Sequence, residues 1–492
     1  MKKWILVYGK YEGQEAKAAE LLSAKAEEYI GYELAVYRSE NVNEKFLEEH
    51  SVIYVGTISD HKMLATKYKT VADGDLQGYV YEVVKKDDGN DIYVVGNTAL
   101  GAYYGATAFI SHYLPNAAVL TSYNSDFNMF GNFNLNGFFR RPFNEQMPES
   151  KEESAPAVRT RAIWTWGHVI FDYEKFFENM ALLRLNEIVI WNDHMPVNAT
   201  EVVKAAHDLG IRVIFGFSWG WGLNCGEFAV QSCFDKNKVN EFAQKVSSYY
   251  EEEVFPTGAD GIYFQSFTEL NIDNICGVNI AEAVAAWVNG IAAVLYEKYP
   301  EIEIQFGLHA TSVKEHLKYL QAVDKRIRIV WEDCGAFPYN YSPVLVQNSE
   351  ETAKFTETAL NLRGKDEKFA AVFKGLTTLY WDTFDYREGP FILGKASNEK
   401  IATINKDRAA AWKFIQAMWL KNAEYVRKTT EMIAKGMKEK SEIQLLAEYG
   451  TFETHIYFPV ALAAEIMWSP TEDTQTLIER ATLNPYVYFE NI

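Results

Sequence analysis

Asp260-Gly261-Ile262-Tyr263-Phe264-Gln265-Ser266-Phe267-Thr268-Glu269 reads as a short apolar strand, Ile262 to Phe264, running into a polar turn that presents one carboxylate, Glu269. Strands of a parallel barrel end this way when they supply a site, because their carboxyl ends converge on one pocket. The pattern recurs on either side. Glu187-Ile188-Val189-Ile190-Trp191-Asn192-Asp193 ends in Asp193, and Ile327-Arg328-Ile329-Val330-Trp331-Glu332-Asp333 ends in two acids. Leu376 to Trp381 is followed by Asp382 and Asp385. Four such strand ends in one region predict an acidic cleft walled by aromatic rings.

The surrounding chain supports a barrel. From Arg159 onward, strand candidates alternate with helical runs: Ala162 to Trp166, Glu187 to Trp191, Arg212 to Phe217, Gly261 to Gln265, Glu303 to Leu308, Arg328 to Trp331 and Gly375 to Trp381. Repeated β/α units favour a parallel sheet with crossover helices, and an eighth strand near Ile456 to Met467 completes a (β/α)₈ barrel. A doubly wound open sheet is the alternative. It usually carries a Gly-rich dinucleotide loop, and Gly216-Phe217-Ser218-Trp219-Gly220-Trp221-Gly222 has neither phosphate-loop spacing nor a Lys.

Upstream, residues 1–145 alternate strands and helices and read as a compact α/β domain, with Asn97 and Thr98 as cap candidates for a helix from Thr98 to Tyr113. The Pro- and charge-rich stretch from Phe139 to Val158 reads as a linker. The barrel is expected over 146–408. Residues 409–492 form a C-terminal helical region that includes the last barrel strand and a long amphipathic helix from Ala409 to Lys438.

Composition narrows the partners. With 492 residues, the chain exceeds the usual single-core limit. Its formal net charge of −19, with no basic run, argues against nucleic acid, which would be repelled. No apolar stretch approaches the ~18 residues of a membrane span, and the run after Lys3 is too short for a signal sequence, so a cytoplasmic location is expected. The four cysteines, Cys225, Cys233, Cys276 and Cys334, are scattered and read as reduced packing residues. None of the nine His residues stands in a metal-binding spacing and no Ser sits in a nucleophile elbow, so no metal and no cofactor are expected.

Paired carboxylates and aromatic walls suit glycosidic bond cleavage. One protonated carboxyl donates to the leaving oxygen, while a second acts as nucleophile or as base for water. Glu269 is the proton-donor candidate, because Tyr263, Phe264 and Phe267 supply apolar surroundings that raise a carboxyl pKa. The second carboxylate comes from Glu332, Asp333 or Asp382. Neighbours on a strand point to opposite faces, so at most one of Glu332 and Asp333 faces the pocket. The competing reading for each acid is a salt bridge or loop anchor. Asn192 and Asp193 are candidates for substrate hydroxyl contacts. Trp164, Trp166, Trp191, Trp219, Trp221, Trp331 and Trp381 fall at or beyond strand ends, where flat rings bury the C–H faces of sugars. Ordinary core packing is the alternative for any one of them. Arg161 opens the first barrel strand and is a candidate for bidentate binding of a carboxylate or hydroxyl pair, against a structural ion pair.

The segment Val94-Val95-Gly96-Asn97-Thr98-Ala99-Leu100-Gly101-Ala102-Tyr103-Tyr104-Gly105-Ala106, followed by a barrel, resembles family 67 α-glucuronidases and the related family 20 and 84 β-hexosaminidases. The resemblance implies a small non-catalytic domain, residues 1–145 here, before a catalytic barrel. It also implies a substrate-binding Arg at the first barrel strand, matched by Arg161, and an acid Glu after the fourth, matched by Glu269. Thr268 stands where family 20 places an Asp, and the paired Asp residues of family 84 are absent, whereas a small hydroxyl residue before the acid suits family 67. An exo-acting, inverting, α-glucuronidase-like hydrolase is therefore expected. A retaining β-N-acetylhexosaminidase-like enzyme and an inactive carbohydrate-binding barrel are the alternatives.

Overall fold

A computed structural model describes residues 2–117, 143, 147–166, 170–192, 194–217, 230–264, 273–275, 277–309, 313–335, 349–364, 367–374, 389–446 and 453–489. The chain forms two compact units, Met1–Pro156 with Glu479–Val487, and Ala157–Ile478 with Tyr488–Ile492.

The first unit is built on a six-stranded sheet of β1 (Trp4–Tyr8), β2 (Ala35–Arg38), β3 (Ser51–Thr57), β4 (Tyr79–Lys86), β5 (Gly89–Gly96) and β6 (Ser150–Ser154), in the order β2-β1-β3-β5-β4-β6. Helices α1 (Gly13–Ile30) and α2 (Ala99–Ala108) cover it. Thr98 caps α2, its Oγ1 accepting from the Gly101 amide at 3.1 Å. Strand β6 lies inside the stretch whose Pro and charge suggested a linker. An edge strand pairs on one side only and tolerates charge facing solvent. It pairs antiparallel with β4, and its Glu152 accepts from the hydroxyls of Tyr79 (2.6 Å) and Tyr81 (3.0 Å).

The second unit is a closed barrel of eight parallel strands. These are β7 (Thr160–Trp166), β8 (Glu187–Trp191), β9 (Arg212–Phe217), β10 (Gly261–Phe264), β11 (Glu303–Leu308), β12 (Arg328–Gly335), β13 (Phe369–Phe373) and β14 (Ser441–Leu446). The crossovers include α3 (Tyr173–Leu182), α4 (Ala199–Asp208), α5 (Lys236–Tyr249), α6 (Ile280–Lys298), α7 (Ser349–Leu362) and α8 (Asn398–Met437), and α9 (Phe458–Trp468) follows the last strand. Helix α6 has the length and apolarity of a membrane span by composition, but 61% of that window is buried inside the unit, as befits a helix covering a barrel.

Three sequence expectations shift here. The eighth strand is β14, not Ile456 to Met467, most of which is the buried helix α9. An all-apolar run has no period to separate strand from helix. The seventh is Phe369–Phe373, and the expected stretch Gly375 to Trp381 lies wholly outside the described residues. The long helix expected from Ala409 to Lys438 is α8, which starts earlier, at Asn398 with Ser397 as cap, and forms the crossover joining β13 to β14.

Alternation along the strands sorts the barrel interior into levels. At the amino ends lies a polar floor. Arg328 Nε contacts Glu303 (2.9 Å) and Glu442 (2.8 Å), Arg212 contacts Glu187 (3.0 Å), and Gln305 Nε2 donates to Glu187 (2.8 Å). Gln444 Nε2 donates to Gln305 (2.8 Å) and Glu442 (2.6 Å), tying β14 to β11 across the interior. Above the floor, Trp164, Val189, Trp191, Ile214, Tyr263, Val330, Ala370, Val372 and Leu446 form one buried cluster.

Candidate active site at the carboxyl end of the barrel

The inward positions of β11 run Glu303, Gln305, Gly307, and His309 follows on the same side just past the strand's end. The neighbouring inward positions of β12 are Arg328, Val330 and Glu332. This alternation carries a carboxylate and an imidazole to the carboxyl ends of adjacent strands. Glu332 is fully buried. Its Oε1 accepts from the Tyr263 hydroxyl and its Oε2 pairs with His309 Nε2. Burial alone would raise the Glu332 pKa. The charge and hydrogen bond of His309, the Lys374 ammonium after β13 and the Tyr263 hydroxyl outweigh it and hold the carboxyl below its usual range.

Two glycines make the arrangement possible. A Cβ on Gly307 would stand 2.1 Å from both Glu332 Oε1 and the Tyr263 hydroxyl. On β9, a Cβ on Gly216 would come within 2.7 Å of the Trp191 ring, so glycine opens the room that ring fills. The rings then meet over the floor: Trp164 and Tyr263 with centroids 5.3 Å apart, Trp191 and Tyr263 at 5.6 Å, and Trp164 and Trp191 at 6.4 Å. Asn192, at the end of β8, accepts from the His194 amide at 3.3 Å. Its Nδ2 is buried with no partner among the described residues.

Of the residues singled out in the sequence, the structure therefore brings Trp164, Trp191, Asn192 and Glu332 to one end of the barrel. Two others point away from it. Arg161 is a correction: β7 turns Ala162 and Trp164 inward, which puts Arg161 on the outer face. There its guanidinium donates to the carbonyls of Val158 (2.7 Å), Arg159 (3.1 Å) and Arg184 (2.8 Å) and lies over the Trp468 ring at 5.0 Å. It is also at the amino end of its strand, far along the barrel axis from the mouth. Trp331 is the second correction. With Val330 and Glu332 inward it faces α7, donating from Nε1 to Thr356 Oγ1 at 2.9 Å and packing on Phe355 at 4.7 Å. Glu269, Asp382, Asp193, Trp219, Trp221 and Trp381 lie outside the described residues, as do the side chains of Asp333 and Trp166.

Sequence reading passed over His309 and Lys374 as site residues and used Tyr263 only as an apolar wall. A signal was present. In Glu303-Ile304-Gln305-Phe306-Gly307-Leu308-His309 the apolar residues occupy the outward positions and every inward one is polar or glycine, which marks an interior built for more than packing. Among the described residues no group of three or more His, Cys, Asp or Glu side chains is arranged to hold a metal ion.

No family model matches the chain. None of the curated proteins matches it. Solved structures do. A family 89 glycoside hydrolase from Clostridium perfringens, in complex with 2-acetamido-1,2-dideoxynojirmycin, aligns over 95% of this chain at 10% identity and a TM-score of 0.45. The chain spans about half of that enzyme, 51% of its length. A GH18 chitinase from Cycas revoluta aligns over 64% of this chain and all of its own at 11% identity and a TM-score of 0.37. An HpcH/HpaI aldolase from Desulfitobacterium hafniense aligns over 52% of this chain and 93% of its own at 12% identity and 0.26. Likeness at this level assigns no activity.

Proposed function

We propose that the protein is a glycoside hydrolase that removes a terminal sugar, with Glu269 as proton donor and a second carboxylate among Glu332, Asp333 and Asp382. The observation that carries this reading is the ionised, buried Glu332 set between Tyr263, His309 and Lys374 beside two tryptophans, at the end of the barrel where barrel enzymes keep their sites. A ring such as Trp164 or Trp191 suits the apolar face of a pyranose, and the polar Asn192 beside them suits its hydroxyls. The Lys374 ammonium near the carboxylate favours an acidic sugar, which supports an α-glucuronidase-like substrate. In the reaction, water oxygen attacks the anomeric carbon and loses a proton to the base. The glycosidic C–O bond breaks, and Glu269 protonates the departing oxygen.

The test is turnover of aryl glycosides and glucuronic-acid-capped xylo-oligosaccharides by wild type and by Glu269→Gln. The expected result is cleavage of an acidic-sugar substrate, a fall of about 10²–10⁴-fold in the variant, and an inverted anomeric product by NMR. Saturable sugar binding with no turnover of any substrate would overturn the hydrolase reading in favour of a binding barrel.

A further inference from the structure

In the sheet of the first unit, β1 pairs in parallel with β2 on one side and with β3 on the other, so the winding of the chain reverses between β1 and β3. In open sheets ligands bind outside the carboxyl ends of the strands at such a point. Here a side chain of the protein fills it. Glu15, in the first turn of α1, is 2% exposed, and its Oε1 accepts from the amides of Gly9 (3.1 Å) and Lys10 (2.7 Å) in the loop after β1. Two glycines make the seat. A Cβ on Gly56 of β3 would stand 2.5 Å from Glu15 Oε1, and one on Gly9 would stand 2.8 Å from that oxygen and 2.7 Å from the Asp60 carbonyl. The charged groups facing the carboxyl are Asp60, in the loop after β3, and Lys10. Asp60 accepts from Thr57 Oγ1 at 3.0 Å and Ser59 Oγ at 3.3 Å, and Lys10 pairs with Glu12. The elements in closest contact with α1, namely β1, β3 and α2, carry only tyrosines as titratable side chains, Tyr8, Tyr54, Tyr103 and Tyr104. His61, also buried at this edge, donates from Nε2 to the Val7 carbonyl (3.1 Å) and accepts from the Leu64 amide at Nδ1 (3.4 Å). Burial pushes its pKa down to about 4, so it stays neutral. Burial pushes Glu15 the other way, and with Asp60 it outweighs the two amides and Lys10, so that carboxyl is raised to about 7.

We propose that Glu15 is a proton-operated latch: protonated, it sits against Gly9, Lys10 and Gly56 and fastens the loop after β1 to the edge of the sheet, and ionised it loosens that loop. The neutral acid keeps the oxygen that both amides use and brings no charge into the seat, whereas the carboxylate brings one that burial and Asp60 disfavour. Because the folded-state pKa lies above the unfolded value, roughly 4.3, the stabilisation from the seated group is full below that value. It is lost as pH rises through about 7. The hold on residues 9–12 therefore weakens across the neutral range.

Two measurements on the full-length chain test this. The first is amide hydrogen exchange at Gly9 and Lys10, corrected for its intrinsic pH dependence, at about pH 5.5 and about pH 8.5. It compares wild type with Glu15→Gln, whose neutral amide keeps an accepting oxygen. Protection in wild type is expected to be lower by about tenfold or more at the higher pH, since each pKa unit is a tenfold change. In Glu15→Gln it is expected to be the same at both. Equal protection at both pH values in wild type overturns the proposal, and so does the same loss in Glu15→Gln. The second is a ¹³C NMR titration of the Glu15 carboxyl in wild type and in Asp60→Asn, which leaves the Glu15 seat in place should Glu15→Gln fail to fold. The expected result is a wild-type midpoint near 7, lowered in Asp60→Asn together with the pH at which protection is lost. A wild-type midpoint close to the ordinary Glu value, roughly 4.3, overturns the proposal.

Discussion

Glu187 and Glu332 are both wholly buried in the interior of the same barrel, at opposite ends, and their protonation is driven in opposite directions. Burial disfavours charge on each. At the floor, the nearby Glu442 adds to that penalty, and together they outweigh the attraction of Arg212 and Arg328, so the Glu187 carboxyl is held well above its usual range. At the mouth, His309, Lys374 and the Tyr263 hydroxyl reverse the effect of burial, and the Glu332 carboxyl is held low. The sign comes from the neighbours, not from depth. The floor ties strands to one another and the mouth keeps a charge available, in keeping with the division of barrels into a stabilising end and a reacting end.

The comparison breaks most readily at Arg328, whose guanidinium lies between Glu303 and Glu442. Arg328→Met leaves two buried carboxylates facing each other, and a loss of about 3–5 kcal/mol is expected in denaturant unfolding. An unchanged midpoint would mean that the floor contributes no net stability.

The pH dependence of stability sharpens the contrast. Because the native pKa of Glu187 is raised, its contribution is present in full below its unfolded value, roughly 4.3, and is lost as pH rises through the native value. Because that of Glu332 is lowered, its contribution is present above the unfolded value and is lost as pH falls. Unfolding free energies measured from acid to neutral pH are therefore expected to differ from wild type with opposite slopes in Glu187→Gln and Glu332→Gln. Slopes of the same sign would remove the distinction between the two ends.

The smallest effect is expected from Trp331→Phe. The outward ring keeps its packing but loses the hydrogen bond to Thr356, worth about 1 kcal/mol of stability. Turnover should be unchanged, and a fall in kcat at constant fold would return Trp331 to the site.

Much of this molecule was legible before any coordinates. The strand signals at Glu187, Arg212, Gly261, Glu303 and Arg328 match the observed strands closely, because short apolar runs bounded by charge and turn residues leave little choice of period. Thr98 was readable as a cap for the same local reason. The eighth strand was not, since the apolar run at 456–467 serves equally well as a buried helix. Arg161 and Trp331 were misassigned although their positions at strand ends were read correctly, because nearness to an end does not say which face a side chain takes.

The sequence by itself determined the alternation of strand and helix in the second unit and the presence of acids and large rings at the strand ends, since both depend on neighbours a few residues apart. Only the tertiary structure decided which residues of each strand line the interior. The pleat fixes a period of two, but closure of the barrel chooses which half faces in. It also decided that Glu332 joins Tyr263 and His309 while Glu187 lies near Glu442, contacts spanning 69 residues in one case and more than two hundred in the other. A buried carboxyl takes its charge state from such distant neighbours, and no local stretch of chain records them.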